Sequence, residues 1–287
     1  MGRVAVVTDS SACLPGELVS ELDVHVVPLR FSIDGKSYLD GIDITATDLY
    51  RLLPRMREVP TTSAPTPSYY YAAYQQVAAD HDSVAVVTLA RRFSGMYQSA
   101  LLAAATARES LPALRVEVLD SGTAAGAEGL VALNAARRAA AGAALDDVIS
   151  TAREVSGRVV LVATLDTLYY LARGGRVPMA VHWANSVVRV NPVFRILPMS
   201  ADARTVRVAR GRQSAVRQML ELVRQQAGSG EWHGVVFHSD SLDDAEELRC
   251  QVVSMTWVVE LYVCDFTPAM GIHTGPGVLG LAYYTTG

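Results

Sequence analysis

Cysteine is scarce in this 287-residue sequence, and its three copies are far apart. Cys13, Cys250 and Cys264 form no CxxC pair, so neither a structural zinc site nor a disulfide framework is indicated. This usage is typical of a reducing compartment, and we expect a cytoplasmic location. The start of the chain has no apolar stretch followed by a cleavage site. No run approaches the ~18 apolar residues of a membrane span, so we expect at most transient membrane contact.

An excess of positive charge is also missing. The 25 basic and 29 acidic residues give a formal net charge of −4, which argues against a nucleic-acid partner, since such an interface needs a basic face. Hydrophobic residues make up 50% of the chain and charged residues 19%, a composition that excludes disorder and supports a large core. A chain of this length predicts two domains or one large one.

Recognisable catalytic motifs are absent. The sequence has no GxSxG elbow, no phosphate-binding loop, no GxGxxG after a strand and no HExxH zinc motif. No carboxylate pair or activated nucleophile is evident, so we predict no catalytic residue, no metal site and no cofactor. Hydroxyls, one imidazole and arginines are present instead, and these groups suit an anionic head group such as a carboxylate or phosphate.

The first half of the chain alternates between short apolar runs and helical segments. Runs at 3–7, 24–29, 84–89 and 116–119 predict strands, and helices are predicted at 15–21, 69–79, 96–110, 126–141 and 145–155. This rhythm predicts a parallel sheet with helices on both faces, an α/β/α domain at residues 1–157. From residue 158 to 287 several strands look antiparallel, which predicts an α+β domain with a mixed sheet.

Three local features refine this outline. We expect Thr47 to cap a helix that ends near Met56, and the proline-rich segment 60–67 to form a loop. Three glycines and a proline in residues 271–277 predict a rigid turn that holds His273 and Thr274 at its tip, before a last strand. The loops at 8–11, 88–94 and 120–123 should meet at one sheet edge, where ligands of parallel sheets bind.

Seven motifs in order resemble the DegV family, whose members are bacterial fatty-acid-binding proteins. They are TDSS (8–11), TTSAPTP (61–67), FSGMYQSA (93–100), DS (120–121), LYYLARGGRV (168–177), NPV (191–193) and GIHTGPG (271–277). The family's patterns for four of these are TTSQPSP, LSGTYQSA, LxYLxKGGRI and GxHTGPG. The match extends from end to end of the chain.

The resemblance implies a two-domain DegV-like fold with an acyl chain in a buried tunnel. It implies that Thr62, Ser94 and His273 hold the carboxylate, with Ser63, Gly95 and Thr274 beside them. Arg210 aligns with a basic residue near the tunnel mouth. Family members present the carboxylate to a separate fatty acid kinase, which forms the acyl-phosphate. The expected partners are therefore a long-chain fatty acid and that kinase, and we expect no turnover by the chain alone.

Several points stay open at this stage. Ala64 stands where the family has glutamine, Met96 where it has threonine, and Asn191 where it has lysine, and the residues alone do not explain these departures. A lipid hydrolase, a small-molecule phosphotransferase and a binder of another amphipathic anion remain alternatives. The acyl chain length, the lining of the tunnel, the kinase and the oligomeric state are not predicted.

Overall fold

The computed structural model of the chain describes residues 2–175, 190–226, 230–255 and 257–286. The strands are β1 (Val4–Asp9), β2 (Val24–Val27), β3 (Arg30–Ile33), β4 (Lys36–Leu39), β5 (Thr61–Ser63), β6 (Ser83–Thr88), β7 (Arg115–Asp120), β8 (Val160–Thr164), β9 (Asn191–Ile196), β10 (Arg204–Ala209), β11 (Glu231–His238), β12 (Val258–Asp265) and β13 (Leu279–Thr286). The helices are α1 (Gly16–Glu21), α2 (Ala46–Leu52), α3 (Pro67–Val77), α4 (Met96–Ser110), α5 (Ala125–Ala140), α6 (Leu145–Ser156), α7 (Tyr169–Gly174), α8 (Arg212–Gln226), α9 (Leu242–Val253) and α10 (Pro268–Thr274). Short 3-10 turns cover Ser10–Ala12 and Leu53–Arg55.

The first sheet is parallel, with the strand order β2-β1-β6-β7. Every residue of β1 and β6 is buried, because helices cover both faces of the sheet. Helices α3 and α4 pack on one face, and α5 and α6 pack on the other. The predicted parallel sheet with helices on both sides is confirmed.

The second sheet is mixed, with the strand order β10-β9-β8-β13-β11-β12. Strands β11 and β12 run parallel, and the other neighbouring pairs are antiparallel. The predicted mixed sheet is therefore confirmed. Helix α5 packs against both sheets, and one hydrophobic core contains side chains from both. The proposed domain division at residue 157 stays a prediction.

The segment 60–67 differs from its prediction as a loop. Residues 61–63 form strand β5, which pairs antiparallel with β3 and places Thr62 opposite Phe31. With β4, these strands make a third, small sheet. The physical reason is that β-branched threonines favour extended backbone, and the hairpin around Asp34 and Gly35 offers an unpaired edge.

Two further predictions are corrected. Thr45, and not Thr47, caps helix α2, because the Thr45 side chain accepts a hydrogen bond from the Asp48 amide. Residues 271–274 do not form a turn but the second half of helix α10, which begins at Pro268. Proline is well suited to the first position of a helix, and this start precedes the glycines that suggested a turn. The helix stops at Gly275, where φ is +78°.

Candidate functional site

A hydrogen bond of 2.7 Å between Thr62 Oγ1 and His273 Nε2 joins two elements that are far apart in sequence. Thr62 lies on β5, and His273 lies in the last turn of α10. Both side chains are only partly buried, so this polar pair reaches the protein surface. The contact brings together two residues that the sequence predicted for one site.

Helix α10 is held at its N-terminal end by two buried side chains. The Asp40 carboxylate accepts a hydrogen bond from the Ala269 amide (2.7 Å), which is one of the free amides of the first turn. Tyr50 on α2 donates its hydroxyl to the Phe266 carbonyl (2.6 Å) just before the helix. Burial raises the pKa of Asp40, and hydrogen bonds from its neighbours oppose that effect. These contacts fix the helix that carries His273.

The glycines around His273 make room for neighbouring side chains. A Cβ on Gly271 would collide with the ring of Tyr50, and a Cβ on Gly275 would collide with the ring of Tyr170. A Cβ on Gly174 would lie 2.7 Å from His273 Nδ1. The glycine-rich sequence thus serves close packing of this helix end, in addition to the left-handed conformation of Gly275.

An apolar cavity lies against the mixed sheet and includes this polar pair in its lining. Among the described residues that line it, five are polar: Thr62, Ser63, Ser94, His273 and Thr274. The other lining residues are alanine, leucine, isoleucine, valine, methionine and phenylalanine side chains: Leu29, Ala64, Leu89, Phe93, Ala124, Ala125, Leu161, Ala163, Leu165, Leu171, Phe194, Ile196, Ala203, Phe237, Phe266, Met270 and Val278. The cavity is therefore suited to an apolar tail with one polar end.

The floor of the cavity is a row of residues across the mixed sheet. Phe194, Ala163, Gly280 and Phe237 lie side by side on β9, β8, β13 and β11. The Phe237 ring leans over Gly280, where any Cβ would collide with it, and stacks on Phe266 with ring centroids 5.3 Å apart. The Phe237 ring therefore fills the space above Gly280, and Ala163 is the small residue of this row that lines the cavity. Sequence reasoning missed this row because the pairing register decides it.

The predicted site residues fall into two groups in the structure. Thr62, Ser63, Ser94, His273 and Thr274 line the cavity. Gly95 directly precedes helix α4, and a Cβ there would lie 3.6 Å from Ala64. Arg210 is exposed in the turn between β10 and α8, outside the cavity lining. Of the three loops expected to meet at the site, only 88–94 contributes to this cavity.

Two other arginines lie close to the site. Arg173 borders a surface depression that is also bordered by Thr62 and His273, and its guanidinium lies 4.7 Å from the centre of the Tyr169 ring. Arg212 donates to Asp166 (2.9 Å) and to the carbonyl of Gly277 (2.7 Å). Arg212 therefore ties the segment after His273 to the loop after β8. Arg176 and Val177 of the matching motif lie outside the described residues.

The structure shows what surrounds the three residues that depart from the family pattern. Ala64 lines the cavity, so it adds apolar surface close to Ser94. Met96 is fully buried in a hydrophobic cluster with Leu49. Asn191 donates its side-chain amide to the Leu165 carbonyl and to Asp166 Oδ1, each at 3.1 Å. Asn191 thus stabilises the loop after β8.

The structure contains a buried carboxylate pair that was not evident from the sequence. Asp9 at the end of β1 and Glu128 in the first turn of α5 are both fully buried, and both contact Ser11. Burial raises the pKa of Asp9 to about 6, although hydrogen bonds from Ser11 and Leu89 lower it. Burial and the charge of Asp9 raise the pKa of Glu128 well above its usual value. Ser11 and Glu128 are 117 positions apart in the sequence, which explains why the sequence did not reveal the pair.

Within the described ranges, no group of three or more histidine, cysteine, aspartate or glutamate side chains could hold a metal ion. In the same part of the chain, no helix is both long and apolar enough to span a membrane.

Known proteins resemble the chain over nearly its whole length. A sequence model of the family described as "Uncharacterised protein, DegV family" matches residues 3–286. A DegV domain-containing protein of Caldanaerobacter subterraneus subsp. tengcongensis is 29% identical over 284 residues, which cover 99% of each chain. A DegV domain-containing protein of Listeria monocytogenes is 30% identical over 285 residues, which cover 98% of each chain.

Solved structures share the fold. A DegV family protein from Thermus thermophilus, described by its fatty acid binding, has a TM-score of 0.90 at 29% identity, covering 99% of this chain and 100% of that one. DegV from Bacillus subtilis, described as a fatty acid binding protein, has a TM-score of 0.87 at 26% identity, covering 100% of both chains. The family profile, the relatives and the shared fold agree with the motifs in the sequence: the chain belongs to the DegV family.

Proposed function

We propose that the chain binds a long-chain fatty acid, with the acyl tail in the apolar cavity and the carboxylate beside Thr62, Ser94 and His273. The observation that carries this proposal is the Thr62–His273 hydrogen bond in the lining of a mostly apolar cavity. The fatty acid binding described for the Thermus and Bacillus proteins supports it.

The physical chemistry of the cavity favours such a ligand. Each buried methylene contributes roughly 0.8 kcal/mol, so a tail of ~15 methylenes gains about 12 kcal/mol before ordering costs. The cavity lining follows the chain from Leu161 on β8 to Leu165, just after that strand. This part of the lining is four residue steps long, at about 3.3 Å for each step. A buried carboxylate needs hydrogen-bond donors, and hydroxyls with an imidazole supply them without a salt bridge.

The position of the polar end suits delivery of the carboxylate to a partner. Thr62 and His273 border both the cavity and the surface depression that Arg173 borders. A fatty acid kinase that approaches from this side would meet the carboxylate while the tail stays buried. The chain would then act as a cytoplasmic, substrate-presenting subunit with no turnover of its own and with no cofactor besides the bound lipid. The absence of a GxSxG elbow and of a phosphate-binding loop in the sequence supports this division of labour.

Mass spectrometry of an organic extract from the natively purified protein tests the binding proposal. We expect a near-stoichiometric fatty acid, whose length and double bonds report what the cavity prefers. An empty extract, together with no thermal shift on addition of fatty acids of varied length, would refute the proposal. The kinase role has a separate test, in which acyl-phosphate must form only when a fatty acid kinase and ATP are added to the loaded protein.

A further inference from the structure

The buried carboxyl pair at the end of the parallel sheet shares a single hydroxyl. Ser11 Oγ contacts Asp9 Oδ1 and lies 2.8 Å from Glu128 Oε2. Asp9 also accepts hydrogen bonds from the amides of Ser11 (3.1 Å) and Leu89 (3.0 Å). Asp9, Ser11 and Glu128 are all fully buried, so water does not screen the two acids.

The number of protons in this cluster follows from its geometry. A serine hydroxyl has one proton to donate, and it cannot satisfy two carboxylates at once. One of the two contacts of Ser11 therefore needs a proton on a carboxyl group. Asp9 already accepts two backbone amides, which favours its ionised form. The arrangement that satisfies both contacts has protonated Glu128 donating to Ser11 Oγ, and Ser11 donating to ionised Asp9.

Among the described residues, the other titratable groups that face the cluster supply no positive charge. Tyr70 faces it from α3, Asp120 from β7 and Cys13 from the turn after β1. Asp120 adds a further negative charge, and the tyrosine and cysteine are neutral when protonated. Ionisation of both Asp9 and Glu128 would place two uncompensated negative charges in the interior, which is strongly unfavourable.

The cluster is connected to the wall of the ligand cavity. Asp9 holds the Leu89 amide, and the next amide, that of Ala90, donates to the Thr123 carbonyl (3.0 Å). Leu89 lines the cavity, and the loop that begins there reaches Ser94 five residues later. On the other side, Glu128 belongs to the first turn of α5, whose first residue Ala125 also lines the cavity.

We propose that Asp9, Ser11 and Glu128 form a proton-sharing positioning unit that holds the loop from Leu89 to Ser94 in place for ligand binding. The unit keeps one proton, on Glu128, and does not touch the ligand. Loss of that proton separates the two carboxylates and releases the loop, so ligand affinity falls at alkaline pH. The effect on affinity rests on the proposed fatty acid binding, whereas the shared proton does not.

The shared proton is tested first, without ligand. Carboxyl carbons of the ¹³C-labelled protein are followed by NMR from pH 4 to pH 9, and the Glu128 resonance is assigned by its loss in Glu128→Gln. We expect Glu128 to remain protonated at pH 7. Ionisation of Glu128 below pH 5 would overturn the proposal.

The positioning role is tested with palmitate binding at pH 6 and at pH 9. We expect wild type to bind about fivefold more weakly at pH 9, whereas Glu128→Gln keeps its affinity within about twofold, because its amide stays neutral and still donates to Ser11. Asp9→Asn should bind about tenfold more weakly at both pH values, since it loses the charged acceptor of the Leu89 amide. Asp265→Asn, an exposed carboxyl at the end of β12, is the matched control and should follow wild type.

Two outcomes of the binding experiment would overturn the positioning role. One is a Glu128→Gln variant that follows the pH profile of wild type. The other is an Asp9→Asn variant that is folded and binds palmitate as wild type does. If wild type binds no fatty acid at either pH, the proposed function fails, and the NMR titration still decides whether the proton is shared.

Discussion

The two ends of helix α5 hold buried carboxyl groups in opposite environments. In the first turn, Glu128 faces another acid, Asp9, and burial raises the pKa of both. In the last turn, Arg137 donates two hydrogen bonds to Glu260 of β12, which also contacts His233. Burial alone would raise the pKa of Glu260, but hydrogen bonds from Arg137 and its other neighbours bring it down to about 2.

This difference shows that a partner, and not burial alone, decides the charge of an interior carboxyl. The positive end of a helix dipole favours an anion near its first turn, yet Glu128 is expected to be neutral there. Proximity to a second acid and the absence of water outweigh the dipole, which contributes at most ~2 kcal/mol. Glu260 is also mostly buried, with 10% of its side chain exposed, and stays ionised because a guanidinium is in contact with it.

The largest effect should follow from removal of the cation at the far end of α5. Arg137→Met leaves Glu260 without its guanidinium and should lower the free energy of unfolding by about 2–4 kcal/mol, less than a fully buried pair because Arg137 is one-third exposed. Urea denaturation at pH 7 measures this change in the free energy of unfolding. Arg138→Met is the control, since its contact with Asp147 is long and exposed, and should change stability by less than ~0.5 kcal/mol. Equal stability of the two variants would show that the Arg137 pair is dispensable.

The pH dependence of stability should distinguish the carboxyl groups at the two ends of α5. The pKa of Glu260 falls from 4.5 to about 2 on folding, so its stabilisation is present above pH 4.5 and is lost as the pH falls through 2. The pKa of Asp9 rises from 3.8 to about 6, so its contribution is present below pH 3.8 and is lost as the pH rises through 6. Each limb should amount to roughly 2–3 kcal/mol, with a maximum of stability near pH 4.

Two variants test which residue causes each limb of the curve of stability against pH. Arg137→Met should flatten the acid limb only, and Asp9→Asn should reduce the fall in stability between pH 4 and pH 6, to which the raised pKa of Glu128 also contributes. Unfolding free energies measured at half-unit intervals of pH provide the curves. A wild-type curve that rises steadily from pH 4 to pH 7 would contradict the raised pKa of Asp9.

Thr62→Val tests the polar end of the cavity, where the effect on affinity should be moderate. Valine keeps the β-branched shape that suits strand β5 but removes the hydroxyl that bonds to His273. We expect palmitate to bind about tenfold more weakly, or ~1.4 kcal/mol, in a competition assay with a fluorescent fatty acid. Thr61→Val, the exposed neighbour on the same strand, should bind within about twofold of wild type. Equal affinities for the two variants would remove Thr62 from the head-group site.

The smallest effect should come from Asn191→Ala. This change removes the amide that donates to the Leu165 carbonyl and to Asp166, and should lower the unfolding free energy by about 1 kcal/mol. Gln213→Ala, on the exposed side of α8, serves as the control and should have no measurable effect. Thermal unfolding of both variants under one set of conditions provides the measurement.

Much of the fold was predictable because its signals are local. The valine run that forms β6 is flanked by polar turns. Helix α4 begins at Met96 and ends at Ser110, as predicted from the sequence. The segment around Thr62 was less predictable, since a three-residue strand exists only through its pairing with β3. The end of α10 was misjudged because the glycines near His273 suggested a turn, whereas their contacts with Tyr50 and Tyr170 are tertiary.

The site was predictable only in part for the same reason. The motifs named Thr62, Ser94 and His273, and the structure places all three in the lining of one cavity. The row of residues from Phe194 to Phe237 could not be predicted from the sequence, because it depends on the register of four strands. The Asp9–Glu128 pair was hidden by the separation of its two residues in sequence.

The close contacts of the glycines near His273 have a consequence for sequence variation. Gly271 accommodates Tyr50, Gly275 accommodates Tyr170, and Gly277 accommodates Asp166. At Gly271 a larger residue is compatible with the fold only if Tyr50 becomes smaller, whereas Gly275 (φ +78°) and Gly277 (φ +87°) also need a backbone conformation that other residues rarely adopt. Across homologues, Gly271 and Tyr50 should therefore covary as a pair, whereas Gly275 and Gly277 should remain glycine whatever their partners are.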